Sequence, residues 1–225
     1  VADEAGLQLA LIEAAQKEGS HTILLKAGDY YVAKNPYSED GTSVEGGAVF
    51  TYRGTPNPEV FGVPSELPTQ RDKLTIKAAS ERRFRSDPQR RTAPTVRLIG
   101  DKQRGILDIE SQTSVLVKDI LFQEAGDTAL SIAKFTGGLP VGNRAVEIFY
   151  SVVDRNSGAD GGGVRVTIKS GAPRVVLIYR SDFIANSAVN GGGIRTDGDL
   201  AVYESKFSAN LATEYGGAVH TLRTL

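Results

Sequence analysis

Cysteine is absent from the 225 residues, so neither a disulfide nor a thiolate metal site is available. That absence leaves the compartment open, because a large stacked core folds outside a cell without covalent staples. An excess of either charge is also missing. The 26 Lys and Arg against 27 Asp and Glu leave a formal net charge of −1, which exerts no global pull toward nucleic acid or an anionic membrane. No apolar run approaches the roughly 20 residues needed to span a bilayer. Methionine is absent and the chain begins at Val1, so a processed product is expected, with any targeting segment outside the sequence. The two histidines, His21 and His220, make neither a metal-ligand pattern nor a Ser-His-Asp arrangement.

What is abundant is repetition. Ser181-Asp182-Phe183-Ile184-Ala185-Asn186-Ser187-Ala188 leads into Gly191-Gly192-Gly193-Ile194, and Ser205-Lys206-Phe207-Ser208-Ala209-Asn210-Leu211-Ala212 leads into Gly216-Gly217-Ala218-Val219. A degenerate copy runs from Ser151 through Asn156 to Gly161-Gly162-Gly163-Val164. The asparagines are offset by 30 and then 24 residues, a period that means one structural unit is being stacked.

Ahead of the repeats, residues 3–19 read as an amphipathic helix. Asp3 is placed as N-cap, Gly19 as the stop, and Leu7, Ala10, Leu11, Ala14 and Ala15 on one face. Strand signals follow at 22–25 and 30–32, around a Gly28-Asp29 turn. Residues 35–69 and 80–94 read as two insertions. The first holds Gly46-Gly47-Ala48-Val49, and the second carries arginines at 82, 83, 85, 90 and 91. An arginine-rich loop offers itself to an acidic partner, although a solvated surface loop explains it as well. From 96 onward, short β-branched runs separated by Gly, Asp, Asn and Ser favour strands.

Counting back from Phe122, Val153, Phe183 and Phe207 aligns four units, with 115–219 as the regular region. The pairs Val115/Val117, Val146/Ile148, Val176/Ile178 and Leu200/Val202 are apolar in every unit and point inward. Lys118, Phe149, Tyr179 and Tyr203 occupy an outward column. Strand starts at 115, 146, 176 and 200 are 31, 30 and 24 residues apart. The expectation is an all-β fold, a right-handed single-stranded parallel β-helix of about six coils, with neighbouring coils about 4.8 Å apart. Residues 1–225 form one domain, its first coil covered by the N-terminal helix so that the edge is not left open. Asn156, Asn186 and Asn210 are expected in a turn, where asparagine tolerates a left-handed backbone, and as an internal amide ladder. Ser151, Ser181 and Ser205 form a second polar column, and the glycine pairs occupy tight corners. No cap comparable to the helix follows Val219, so the natural protein is expected to continue past Leu225.

The F-x-x-N-x-A unit followed by G-G-[GA]-[IV] resembles the repeat of the polymorphic outer-membrane protein family of bacterial autotransporters, and of large bacterial surface proteins with a right-handed parallel β-helix. The opening "LQLALIEAAQ … TILLKAGDYYV" is similar to the capping helix and first coil of the pectate-lyase-like superfamily. This resemblance implies a secreted or surface-displayed protein, an adhesin or an extracellular structural element. The departures are Val153 in place of Phe, Ala125 in place of Asn, and no glycine pair in the 122–132 unit.

The same fold hosts polysaccharide lyases and hydrolases. The Asn-x-Asp, Asp-Asp and Gly-His-Gly segments of polygalacturonase-type hydrolases are absent. Asp154, Arg155, Arg180 and Asp182 are the candidates for a lyase constellation, but they scatter across the alignment. Asp197-Gly198-Asp199 reads as a turn in preference to a calcium site. No catalytic residue, metal or cofactor is assigned.

Two outward columns are the candidate ligand-binding residues. Arg165, Arg195 and His220 follow the glycine pairs on successive coils. Stacked like charges are unfavourable, so an anionic partner such as an acidic glycan relieves them, unless nearby carboxylates do so. Phe149, Tyr179 and Tyr203 offer rings to a sugar face or a protein partner, unless they serve only as a ladder that stabilises neighbouring strands. The expected function is a non-enzymatic extracellular or cell-surface scaffold, adhesin-like or part of an extracellular assembly. The alternative is a lyase or hydrolase acting on an acidic glycan.

Overall fold

The computed structural model describes residues 1–17, 19–54, 73–80, 94–111, 114–134, 146–168 and 175–222. Helix α1 spans Glu4–Gln16. Coil 1 then comprises β1 (His21–Leu25), β2 (Gly28–Tyr31), a short 3-10 turn at Val32–Lys34 and β3 (Phe50–Gly54). Coil 2 comprises β4 (Lys73–Ala78), β5 (Val96–Ile99) and β6 (Leu107–Ser111), and coil 3 β7 (Ser114–Lys118), β8 (Ile120–Gln123) and β9 (Leu130–Lys134). Three four-stranded coils follow. Coil 4 is β10 (Val146–Phe149), β11 (Val152–Asp154), β12 (Ser157–Asp160) and β13 (Val164–Ile168). Coil 5 is β14 (Val175–Tyr179), β15 (Asp182–Ile184), β16 (Ser187–Asn190) and β17 (Ile194–Thr196). Coil 6 is β18 (Asp199–Tyr203), β19 (Lys206–Ser208), β20 (Leu211–Tyr215) and β21 (Val219–Thr221).

Equivalent strands of successive coils pair in parallel, giving four sheets. The first is β1-β4-β7-β10-β14-β18, the second β2-β5-β8-β11-β15-β19, the third β12-β16-β20 and the fourth β3-β6-β9-β13-β17-β21. This is the parallel β-helix, with six coils among the described residues. Its core is a set of columns. Ile23, Ile76, Val117, Ile148 and Ile178 stack in the first sheet, and Tyr30, Leu98, Phe122, Val153 and Phe183 in the second. All ten are buried. Phe183 stacks face to face on Phe207 at 4.8 Å between ring centres, the spacing of neighbouring strands. Val202, which continues the first column, is 40% exposed because no further coil lies over it among the described residues.

Within 35–69, residues 50–54 are β3, an integral strand of coil 1, because Phe50 and Tyr52 alternate inward into the core while Arg53 faces out. Gly28-Asp29 likewise begins strand β2 and is not a separate turn. Residues 55–72 lie outside the described residues, as do 81–93 with the arginine-rich loop.

The helix is shorter than the 3–19 expected. Asp3 caps it by accepting from Gly6 N at 2.7 Å, and Lys17 is already extended. The N-terminal segment terminates all three edge strands of coil 1. The Val1 ammonium donates to Leu24 O at 3.0 Å beside β1. The Glu4 carboxylate accepts from Tyr31 N at 3.1 Å on β2. Buried Gln8 accepts from Thr51 N at 2.9 Å and donates to Thr51 O at 3.1 Å on β3. Each bond occupies a backbone group that an open sheet edge leaves unpaired.

The asparagine ladder forms as expected, in a different backbone conformation. The left-handed residue is the one before each asparagine: Arg155, Ala185 and Ala209, at φ 54, 53 and 55°. A second left-handed column, Asp119, Tyr150, Arg180 and Glu204, turns the chain from the first sheet to the second. Such a backbone costs about 1 kcal/mol per non-glycine residue. The cost is offset by coil-to-coil bonds such as Tyr150 N to Tyr179 O at 3.0 Å and Arg155 N to Ile184 O at 2.9 Å. The serines also form a column, with Ser151 N donating to Ser181 Oγ at 3.2 Å and Ser181 N to Ser205 Oγ at 3.1 Å. The third sheet is absent from coil 3, where Ala125 stands in the asparagine position and joins the ladder through its backbone alone, donating its N–H to Asn156 Oδ1 at 3.0 Å and accepting from Ser157 N at 3.0 Å.

Asp101 closes the turn after β5 by accepting from Gln103 N at 3.0 Å and Arg104 N at 2.9 Å. Burial pushes its pKa up, but these N–H donors and the Arg104 charge outweigh burial and hold it low. A carboxylate depressed in the folded state stabilises above its unfolded pKa, and that contribution is lost as pH falls through the folded pKa. Asp101→Ala is therefore expected to cost about 1 kcal/mol at pH 7. Urea titrations at descending pH should show the deficit shrinking through the acid range. A deficit independent of pH would contradict the assignment.

Candidate functional site

On the outer face of the first sheet, Lys77, Lys118, Phe149, Tyr179 and Tyr203 occupy one register column. The structure draws Phe149 and Tyr179 together edge to face at 5.7 Å and adds a ring not anticipated, Tyr150. Tyr150 lies 6.3 Å from Phe149 and 5.5 Å from Tyr179, again edge to face. Its left-handed backbone folds it back onto the outer face, which two-residue alternation does not foresee. The Lys118 ammonium sits 5.6 Å from the Tyr150 ring, and the Arg180 guanidinium 5.0 Å from the Tyr179 ring while its Nε donates to Glu204 at 2.6 Å. The Tyr179 phenol is pushed up, by burial first, with Arg180 opposing and Glu204 and Tyr150 assisting. Tyr203 continues the column and is 58% exposed.

On the fourth sheet, Asp108, Ser131, Arg165, Arg195 and His220 share one outward column. Arg165 donates to Ser131 Oγ at 3.2 Å. The third sheet ends beside this column with its own, Asp160, Asn190 and Tyr215. Gly191 makes the approach possible: at φ +63° it folds the chain so tightly that an added Cβ would lie 3.1 Å from Arg195 Cβ. The two columns therefore lie side by side, with Asp160 of one near Arg195 of the other. Arg195 Nε lies 3.6 Å from Asp160 Oδ1 and its Nη2 3.7 Å from Asp197 Oδ1, so carboxylates flank it on both sides. Asn190 Nδ2 donates to Asp160 Oδ1 at 3.0 Å. The stacked positive charge anticipated from Arg165 and Arg195 is thus compensated at Arg195.

Among the described residues, three shielded side-chain polar atoms on or beside these columns have no hydrogen-bond partner: Asn190 Oδ1, Asp197 Oδ1 and His220 Nδ1. An unsatisfied buried polar atom costs about 1–3 kcal/mol. His220 lies 5.7 Å from the Tyr215 ring. The signal for the missed residues was in the sequence: Asp160, Asn190 and Tyr215 each immediately precede a glycine run.

The remaining chemical candidates are not brought together. Asp154 pairs with Arg155 at 3.0 Å, and its carboxyl is pushed up by burial first, against the pull of Arg155. Asp182 pairs in register with Val152, on a neighbouring coil, and Arg180 stands at the corner between the first and second sheets. Gly198 N donates to Thr196 Oγ1 at 3.0 Å, closing a turn at Asp197-Gly198-Asp199. His21 Nε2 meets Lys17 O at 2.8 Å. Among the described residues no three His, Cys, Asp or Glu side chains group as metal ligands, and no helix is long and apolar enough to cross a membrane. No protein-family model, curated protein or solved structure matches the chain.

Proposed function

We propose that the chain is a non-enzymatic scaffold of the cell surface or extracellular space, adhesin-like, whose outer β-helix face binds a glycan. The resemblance of its repeats to the polymorphic outer-membrane proteins, and of its opening to the pectate-lyase-like superfamily, supports the placement. The observation that carries the reading is the partly exposed cluster of Phe149, Tyr150 and Tyr179. Three rings held edge to face, flanked by Lys118 and Arg180, form a preorganised platform. Rigid aromatic faces bind sugars and partner proteins at low entropic cost. Glycan-array binding followed by titration calorimetry of Tyr150→Ala/Tyr179→Ala tests it. Affinity should fall about tenfold or more, with the melting temperature near wild type because the rings lie outside the core columns. Unchanged glycan affinity in the double variant would remove the platform from the reading.

The second reading, a lyase or hydrolase acting on an acidic glycan, draws on Asp160 and Asp197, each of which lies within 3.7 Å of the Arg195 guanidinium. Incubating the protein with polyuronates and following unsaturated or reducing ends separates the two. Cleavage abolished by Arg195→Ala would favour the enzyme over the scaffold.

A further inference from the structure

We infer that the strip between the outward columns of the third and fourth sheets in coils 4–6 is a cleft that takes a neutral, hydroxyl-rich sugar unit, a subsite separate from the aromatic platform on the first sheet. It shares with the proposed function only the choice of a glycan as ligand. The inference starts from what the cleft leaves unsatisfied. Asn190 Oδ1 and Asp197 Oδ1 are acceptors without donors, and His220 Nδ1 has no partner of either kind. The arginines beside them are donors only. Arg165 makes its bond to the hydroxyl of Ser131, and Arg195 lies beyond hydrogen-bond length from both flanking carboxylates.

A ligand that completes this set must donate and accept within a few ångströms. A fully ionised phosphate or carboxylate accepts only, and so leaves both orphan oxygens unsatisfied. A cation needs several acidic or histidine ligands converging on one point, which the described residues do not provide. A hydroxyl does both: it donates to Asn190 or Asp197 and accepts from an arginine. Neighbouring hydroxyls on one pyranose ring repeat that pattern at about hydrogen-bond spacing.

Charge and shape point the same way. Arg195 stands between Asp160 and Asp197, with Arg165 beside it on the neighbouring coil, so two guanidiniums are matched by two carboxylates. That balance gives an acidic ligand no advantage, in contrast to what the arginine column alone suggests. Tyr215, 63% exposed and inclined at 31° to the His220 ring, forms an apolar rim on which a sugar face can rest. Asn190, Asp197 and His220 are only partly buried as residues.

The test uses the full chain with neutral hexose oligomers (β-linked glucose, mannose and galactose series) and a uronate oligomer, followed by calorimetry and saturation-transfer NMR. At least one neutral series should bind. Asp197→Ala and Tyr215→Ala should each weaken it about tenfold, while Lys206→Ala, at an exposed position of the second sheet that belongs to neither candidate site, leaves it unchanged. Tyr215 is exposed, so its variant keeps the test decisive if Asp197→Ala fails to fold, and circular dichroism melts report on that. Three outcomes would overturn the inference: no neutral oligomer binding at millimolar concentration, binding of the uronate alone, or neutral binding that survives both cleft variants. If binding survives those variants but is lost in Tyr150→Ala/Tyr179→Ala, the cleft assignment falls while the aromatic-platform reading stands.

Discussion

Asn186→Ala is expected to destabilise the protein by about 3–5 kcal/mol, near the upper end of single substitutions. Asn186 has no solvent exposure and joins three consecutive coils. Its Oδ1 accepts from Asn156 N at 3.1 Å and Asn156 Nδ2 at 2.9 Å. Its Nδ2 donates to Val153 O at 2.8 Å and Asn210 Oδ1 at 2.9 Å. Truncation removes all four bonds and strands the partners where little water reaches them, and an unsatisfied buried group costs more than a made bond contributes. Because stacked coils need not unfold as one unit, hydrogen exchange is the better readout: protection should fall first at Asn156 N. Asn186→Asp sharpens the expectation. Burial raises the folded-state pKa of the new carboxyl, so its penalty is full above that pKa and is relieved as pH falls below it. A loss under about 1 kcal/mol for Asn186→Ala would show that the ladder is ornamental.

Gly162→Ala is expected to be comparably damaging, by a purely steric route. A Cβ on Gly162 would overlap the Ser187 carbonyl oxygen of the next coil and lie 2.9 Å from Gly192 O. Both obstacles are backbone, which cannot swing aside as a long side chain does. Relief requires the coils to part, breaking bonds such as Gly163 N to Gly192 O at 3.1 Å, at a cost of about 3 kcal/mol or more. Gly46→Ala is the comparison. Its φ is +78°, with nothing within 4 Å of the added carbon, so backbone strain alone applies, about 1 kcal/mol. Denaturant unfolding of the two variants should separate them clearly. Equal losses would mean that the Gly162 contact relaxes without parting the coils, and would contradict the steric reading.

Much of the fold was legible because a stacked coil repeats its own constraints. Phe122, Val153, Phe183 and Phe207 were aligned from sequence, and they pair in register across the second sheet. Ser151 and Asn156 recur with Ser181 and Asn186 because each bonds to its counterpart one coil away. Coil 1 was harder to read. Its third strand, β3, lies within a stretch punctuated by glycine and proline, where local composition masks a short inward-outward alternation. Burial of Gln8 was also hidden, since a glutamine in a helix gives no sign that it will pair with a strand edge.

The candidate site was legible by column and not by neighbourhood. Arg165, Arg195 and His220 were placed on one outward line, as were Phe149, Tyr179 and Tyr203, because equivalent residues of successive coils must lie one strand spacing apart. Nothing in that rule says which residues from adjacent sheets meet at a corner. Asp160 reaches Arg195, and Tyr150 reaches Tyr179, across turns whose direction is decided by a single positive φ, at Gly161 and at Tyr150 itself. A glycine advertises that conformation; a tyrosine, an arginine or an aspartate does not. The sequence by itself therefore determined the period, the inward columns and the ladders, since each is a repeated local pattern. Only the tertiary structure decided the meeting of Asp160 with Arg195 and the aromatic cluster, since those contacts depend on how the corners between sheets bend.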